Sequence, residues 1–306
     1  MGSFPREIRV AKYRYRVVDV FTETALEGNP LAVFPDAAGI SGAVMQKIAR
    51  ELNLSETVFV VPVTRGDCAA RVRIFTSTME MLFAGHPTIG ASFVLLDEGL
   101  VPKEPGHFQL EEKIGPVEVR AESGVRPLIW LRTPAITFGK TYDRAVCARA
   151  LGLESSDLLE IAPQVASAGN PNIFIALRDQ GAVDRAWIDL SGLRAIQPAG
   201  EGSVCVFVFT PTAEGAYSRM FAPEHGVIED PATGSATSPL AAFMLRNGLA
   251  PRDKGSRFIS EQGTKMGRRS LLHVLIHGEN GADGIEVGGY VTPLVEATMT
   301  LPELEP

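Results

Sequence analysis

At 306 residues the chain is long enough to bury a large core, and the length is one that two domains commonly share. With 45% hydrophobic and 21% charged residues and a formal charge of −7, it has the make-up of an ordinary globular protein, and no basic face with which to neutralise nucleic-acid phosphates or an anionic membrane. No apolar stretch approaches the roughly 18–20 residues of a membrane span, and Cys68, Cys147 and Cys205 are too scattered for a disulfide framework or a thiolate metal site, which fits a reducing cytoplasm.

The first residues, MGSFPREIRVAKYRYR, are basic and lack the apolar core of a secretory signal. A strand is expected over 15–21 (YRVVDVF), and Gly28-Asn29-Pro30 then leads into a further hydrophobic strand. In 41–53 the residues Val44, Ile48 and Leu52 recur every fourth position and predict an amphipathic helix. Ser55-Glu56-Thr57 follows at a helix-to-strand connection, with strands over 56–63 and 69–76. A carboxylate set against Val58, Phe59 and Val60 has its pKa raised by desolvation, which suits a general acid/base near neutral pH. A strand-end Glu facing water explains Glu56 equally well.

Residues 88–98 are apolar nearly all round, so this helix must be enclosed by other structure. Its entrance is Gly85-His86-Pro87, where unpaired backbone N–H groups and the helix dipole favour an anion. His86 is placed to touch what that end binds, although a plain cap or loop residue also fits. Strands are expected over 115–122 and 126–132, and a break falls at Thr133-Pro134.

The second part repeats the first. GHPTIGASFVLLDEGL (85–100) lies on GSATSPLAAFMLRNGL (234–249) with Gly85 on Gly234, Thr88 on Thr237 and Leu96 on Leu245, and Glu80 falls on Glu229 at the same offset. Gly169-Asn170-Pro171 repeats the earlier GNP, and strands follow over 172–177, 204–209, 271–277 and 295–301. Within 204–209, Cys205 reads as a small buried hydrophobe. The helix over 237–247 is the second enclosed one. Its preceding loop carries Asp230, held extended by Pro231, and Ser235, although an Asx turn with a Thr233 or Ser235 cap explains DPATGS as well. The expectation is two α+β domains, 1–134 and 135–306, each a curved sheet around a central helix, with the last strand, about 293–303, able to return to the first domain.

There is no Walker loop, no G-x-G-x-x-G after a strand and no G-x-S-x-G elbow. His273 and His277 alternate as in a strand and lack further ligands, and His107 and His225 receive no role.

The blocks VVDVFTETALEGNPLAVF, NLSETVFV, FAGHPTIGA, EDPATGSA and SEQGTKMGRRS together resemble the PhzF-like isomerases of phenazine biosynthesis, in order and over nearly the whole chain. The resemblance implies a diaminopimelate-epimerase-like fold with the active site between two similar domains. It further implies a homodimer and an isomerase needing neither cofactor nor metal. It casts Glu56 as the proton shuttle, with His86, Asp230 and Ser235 as the other catalytic positions. Gly85 and Gly234 present backbone N–H groups to a small anionic substrate, and Asn29 counts among the substrate-binding residues. No cysteine lies in these loops, which excludes a two-thiol racemase. Ser77, Met81 and Leu82 depart from the family's usual FTP-x-x-ELPFAGHP, and the substrate stays open. The rival readings are an epimerase or other acid/base enzyme built on Asp230 and His86, and a non-catalytic binding protein of the same fold.

Overall fold

The computed structural model describes residues 10–302 apart from 104–105, 125, 199–201, 251–255, 279–280 and 282–283. The first half carries β1 (Val10–Val20), β2 (Asn29–Phe34), α1 (Gly42–Leu52), β3 (Glu56–Val61), β4 (Ala70–Phe75), α2 (Gly85–Asp97), β5 (His107–Glu112), β6 (Gly115–Ala121) and β7 (Ile129–Arg132). The second carries β8 (Thr137–Thr141), α3 (Arg144–Ala150), β9 (Gln164–Ser167), β10 (Pro171–Ala176), α4 (Gln180–Arg185), α5 (Leu190–Ile196) and β11 (Cys205–Thr212). It continues with β12 (Gly215–Ala222), β13 (Val227–Asp230), α6 (Gly234–Arg246), β14 (Arg257–Gln262), β15 (Ser270–Ile276), β16 (Ile285–Gly289) and β17 (Val291–Pro302).

All the described strands join one hydrogen-bonded sheet. From β1 to β7 neighbours pair in chain order, with β2–β3 and β4–β5 parallel and the rest antiparallel. The run β9–β10–β11–β12–β14–β15–β16 repeats that pattern, with β10–β11 and β12–β14 parallel. Parallel neighbours need a crossover, and helices supply it: α1 and α2 in the first half, α4, α5 and α6 in the second. The halves are joined where β7 lies antiparallel to β16, and β17 lies along β1 as β8 lies along β9.

Each half of the sheet curls around one crossover helix. Ile89, Val94 and Leu95 of α2 share a core with Val18, Leu31, Val58, Leu110 and Leu131. Leu240, Phe243 and Leu245 of α6 share another with Phe174, Phe207, Phe209 and Val274. The outer sheet faces are covered by α1, through Met45 and Ile48, and by α3, α4 and α5. Strands covered on both faces read as unbroken apolar runs: in β11, Val206 and Val208 face the outer helices while Phe207 and Phe209 face α6. The fold is thus α+β, sheet-rich, with a central helix in each half. Among the described residues no helix is long and apolar enough to cross a membrane.

Both central helices start three residues before the positions read from the sequence, at Gly85 and Gly234. No side-chain cap marks either start, and Pro87 costs no intrahelical bond at the third position, so the usual signals are silent.

Candidate active site

The two central helices meet end to end. A Cβ on Gly85 would lie 2.8 Å from both the Gly234 carbonyl carbon and the Ser235 nitrogen. Only paired glycines let the two helix starts approach so closely. Neither N-cap, Ala84 or Thr233, bonds a first-turn N–H through its side chain, and neither first turn holds an acidic residue. Among the described residues no acceptor takes the N–H of Gly85, His86, Gly234 or Ser235. Two positive helix ends with unmet donors therefore converge, an arrangement that binds a carboxylate or phosphate without a basic side chain.

Glu56 opens β3, opposite Leu31 of the parallel strand β2. Its carboxyl does not face water: the side chain is 16% exposed, and Oε2 lies 3.2 Å from Nε2 of His86. Burial, aided by the charge of Asp230, pushes the Glu56 pKa up to about 8. Burial holds His86 down to about 3, so the imidazole is neutral at physiological pH. The contact is then not an ion pair, and neither atom has a hydrogen-bond partner among the described residues, so both are left unmet at the cleft.

Asn29 decides which imidazole nitrogen carries the proton. Its Nδ2 donates to Asp230 Oδ1 (3.0 Å) and to the Ala232 carbonyl (2.9 Å), and lies 3.4 Å from His86 Nδ1. A flipped amide would set its oxygen against two acceptors, so Nδ2 stays where it is. An amide nitrogen cannot accept a hydrogen bond, so Nδ1 is bare and the ring proton sits on Nε2, the nitrogen nearer Glu56. Asn29, expected among the substrate-binding residues, is fully buried and touches both His86 and Asp230.

Asp230 ends β13, and both its oxygens are occupied: Oδ1 by Asn29, and Oδ2 by the Thr233 hydroxyl at 2.5 Å. Burial raises its pKa to about 6. Gln262 donates to the Asp230 carbonyl and to Thr233 Oγ1 and accepts from the Thr233 N–H, which fixes the turn before α6. The loop carrying Asn29 is pinned from the other half. Arg268 donates to Asp19 Oδ1 at 2.7 Å and to the carbonyls of Glu27 and Gly28, while Asp19 Oδ2 accepts from the Leu26 N–H.

These groups surround a cleft of about 620 Å³ lined by both halves. Glu56, Gly85, His86, Asp230, Gly234 and Ser235 all line it. No described residue bonds the Ser235 hydroxyl, so Ser235 is not the helix cap. Ser77 and Met81 line the cleft, whereas Leu82 lies outside it and is 59% exposed. Cleft residues that the sequence reading missed include Cys205 and His225. Cys205, read as a buried hydrophobe, is the half-buried first residue of β11, at the cleft wall, where the strand's apolar run begins. His225, given no role, reaches the cleft from the short turn Pro223–His225. Among the described residues, no three His, Cys, Asp or Glu side chains gather as metal ligands.

Beneath the first turn of α2 sits Glu112, 5% exposed, with its pKa pushed up to about 8 by burial. The Thr88 hydroxyl lies 2.6 Å from Glu112 Oε1 and 2.7 Å from the Ala84 carbonyl. A hydroxyl has one hydrogen, so satisfying both contacts requires Thr88 to donate to Ala84 and a protonated Glu112 to donate to Thr88.

Residues 18–297 match the family model described as phenazine biosynthesis-like protein, PhzC-PhzF. The chain is 34% identical over 281 residues to the trans-2,3-dihydro-3-hydroxyanthranilate isomerase of Pseudomonas aeruginosa, covering 90% of this chain and 95% of that one. It is 36% identical over 288 residues to an uncharacterized isomerase of Pasteurella multocida, covering 91% of each. Among solved structures, a Bacillus anthracis phenazine biosynthesis protein of the PhzF family overlays with a TM-score of 0.83 at 23% identity, over 94% of this chain and 99% of that one, a likeness of fold.

Proposed function

The chain belongs to the phenazine biosynthesis-like family and is an isomerase, and we propose that it moves one proton, and with it a double bond, within a small unsaturated carboxylic acid, with Glu56 as the only shuttle. The substrate carboxylate rests on the N–H groups of Gly85, His86, Gly234 and Ser235. The Glu56 carboxylate takes a proton from a ring carbon beside a double bond. The C–H electrons form a new double bond as the old one's electrons move to the far carbon, and that carbon takes the proton back from Glu56. Substrate and product have the same composition, and no other reactant is consumed.

The observation that carries this reading is a single, partly enclosed carboxyl with a pKa of about 8, 3.2 Å from a neutral imidazole and beside two uncapped helix starts. A group with that pKa exists in both protonation states near neutrality, as a shuttle must. The neutral His86 lies beside the carboxyl without contributing charge, and the unmet Glu56 Oε2 is left free to meet the substrate. Asp230 is less suited to the part, because each of its oxygens already accepts a hydrogen bond. A racemase-like exchange needs a second free base, and Cys205, the cysteine that lines the cleft, has its thiol pushed up to about 12 by burial.

The assay starts from trans-2,3-dihydro-3-hydroxyanthranilate, the compound named for the Pseudomonas aeruginosa relative. Glu56→Gln should lower kcat by at least ~10²-fold. In the parent enzyme kcat/KM should rise with pH to a midpoint near 8, because the ionised form performs the first step. In heavy water part of the transferred hydrogen should remain protium, since a shielded shuttle returns what it took. A Glu56→Gln enzyme running at the parent rate would remove Glu56 from the mechanism.

A further inference from the structure

The parts of the cleft that the proton shuttle does not use lie on the second half's wall. In the repeated pairing pattern, β11 holds the place of β3, and Cys205 opens β11 opposite Asn172 as Glu56 opens β3 opposite Leu31. The first half thus supplies an acid/base at this position and the second a neutral thiol. Cys205 lines the same cleft as Asp230, Ser203 and His225.

At the rim, two residues before Cys205, Ser203 makes two contacts: its Oγ donates to Glu224 Oε2 at 2.8 Å and lies 3.1 Å from His225 Nε2. Glu224 is held by an ion pair with Arg194, and its side chain is 12% exposed. A hydroxyl has one hydrogen, and the ionised Glu224 claims it through the stronger, charge-assisted bond. Ser203 Oγ must therefore accept, so His225 carries its proton on Nε2 and donates it. Nδ1 of His225 is then a bare acceptor, and no described residue bonds it. Ser203 and His225 both line the cleft.

We propose that Ser203 and His225 form a specificity subsite in which His225 Nδ1 accepts a hydrogen bond from a hydroxyl or amino substituent of the substrate, on the side of the cleft away from Glu56. This rests on the reading that the substrate's carboxylate is anchored at the two helix starts. The Arg194–Glu224–Ser203 chain is the device that sets the imidazole tautomer, and thereby makes the rim select donors. An acceptor-only substituent, such as a methoxy group, would meet another lone pair and be disfavoured.

The test uses isothermal titration of the full chain with benzoate and with its 2-amino, 3-hydroxy, 3-methoxy and 2-amino-3-hydroxy derivatives. In the parent protein the best donor-bearing acid should bind about tenfold tighter than benzoate, the fold-change of one well-made neutral hydrogen bond, and the 3-methoxy acid no tighter than benzoate. His225→Phe, which keeps a ring but removes the acceptor, and Ser203→Ala should each shrink the preference to about threefold or less while benzoate affinity holds. A preference that survives in both variants, or is absent from the parent protein, overturns the subsite. Equal weakening of benzoate and its derivatives would show a merely structural role and also overturn it. If no acid binds the parent protein at all, the carboxylate anchor fails, and the proposed function falls together with the subsite.

Discussion

The end-to-end contact of the two central helices makes Gly85→Ala an informative perturbation. The added methyl would sit 2.8 Å from the Gly234 carbonyl carbon and the Ser235 nitrogen and 3.0 Å from the Gly234 Cα. All three are backbone atoms, so no side-chain rotation relieves the clash. Reaching an ordinary contact of about 3.5 Å requires the helix starts to separate by roughly 0.5–0.7 Å. Overpacking of this kind costs about 1–3 kcal/mol, and the better helix preference of Ala returns at most about 1 kcal/mol. The net loss of about 1–2 kcal/mol should lower Tm by roughly 2–5 °C. Turnover should suffer more, because the same displacement moves the N–H groups that hold the carboxylate. A shift approaching 1 Å costs about 10²-fold, so a ten- to hundredfold fall in kcat/KM is expected. Gly234→Ala should be milder, since its nearest neighbour is the edge of the Phe21 ring at 3.0 Å and the Gly85 backbone is 3.3 Å away. Thermal melts and initial rates of both variants check this. An unchanged Tm and kcat/KM for Gly85→Ala, or a worse outcome for Gly234→Ala, would refute the abutting helix ends.

Two further outcomes are expected. Glu112 keeps its proton in the folded chain up to about pH 8, whereas the unfolded carboxyl loses it near 4.5. Its contribution to stability is thus fully present below 4.5 and is lost as the pH climbs toward 8, a sign that Glu56 shares and that His86, lowered by burial, reverses at acid pH. Glu112→Gln, neutral at every pH and able to donate to Thr88, should therefore show a smaller drop in Tm between pH 5.5 and 8.5 than the parent chain, and an equal drop would disprove the protonated Glu112. Arg268→Ala leaves the fully buried Asp19 with only the Leu26 N–H, at a cost of about 2–4 kcal/mol because the arginine is itself partly exposed. A melt within 1 °C of the parent would show that this brace does not hold the Asn29 loop.

Much of the architecture was legible in local pattern. Two helices apolar on every side had to be enclosed, and α2 and α6 are. For the carboxylate heading the apolar run of β3 the sequence left a desolvated acid and a water-facing strand end equally open, and burial raises its pKa to about 8. The elements that escaped notice, such as β5, β8, β9 and the short helices α3 to α5, are brief, or polar on one face, and give too few periods to stand out. The site was legible only in part. Asn29 in a Gly-Asn-Pro turn looks like a turn residue or a ligand, and nothing nearby in the chain says that it will bridge His86 and Asp230. Cys205 at the head of VCVFVF looks like core, and His225 and Ser203 look like ordinary loop residues.

The amino-acid order by itself determined which faces must be buried, that two helices are enclosed and that the halves repeat, because these follow from periodicity and from immediate neighbours. Tertiary structure alone decided which groups meet across the cleft, the imidazole tautomers at His86 and His225, and the bracing of one half's loop by the other half's arginine. The physical reason is that such contacts join residues far apart in the chain, and their geometry is set by how each half of the sheet curls and by the glycine contact that brings the two helix ends together.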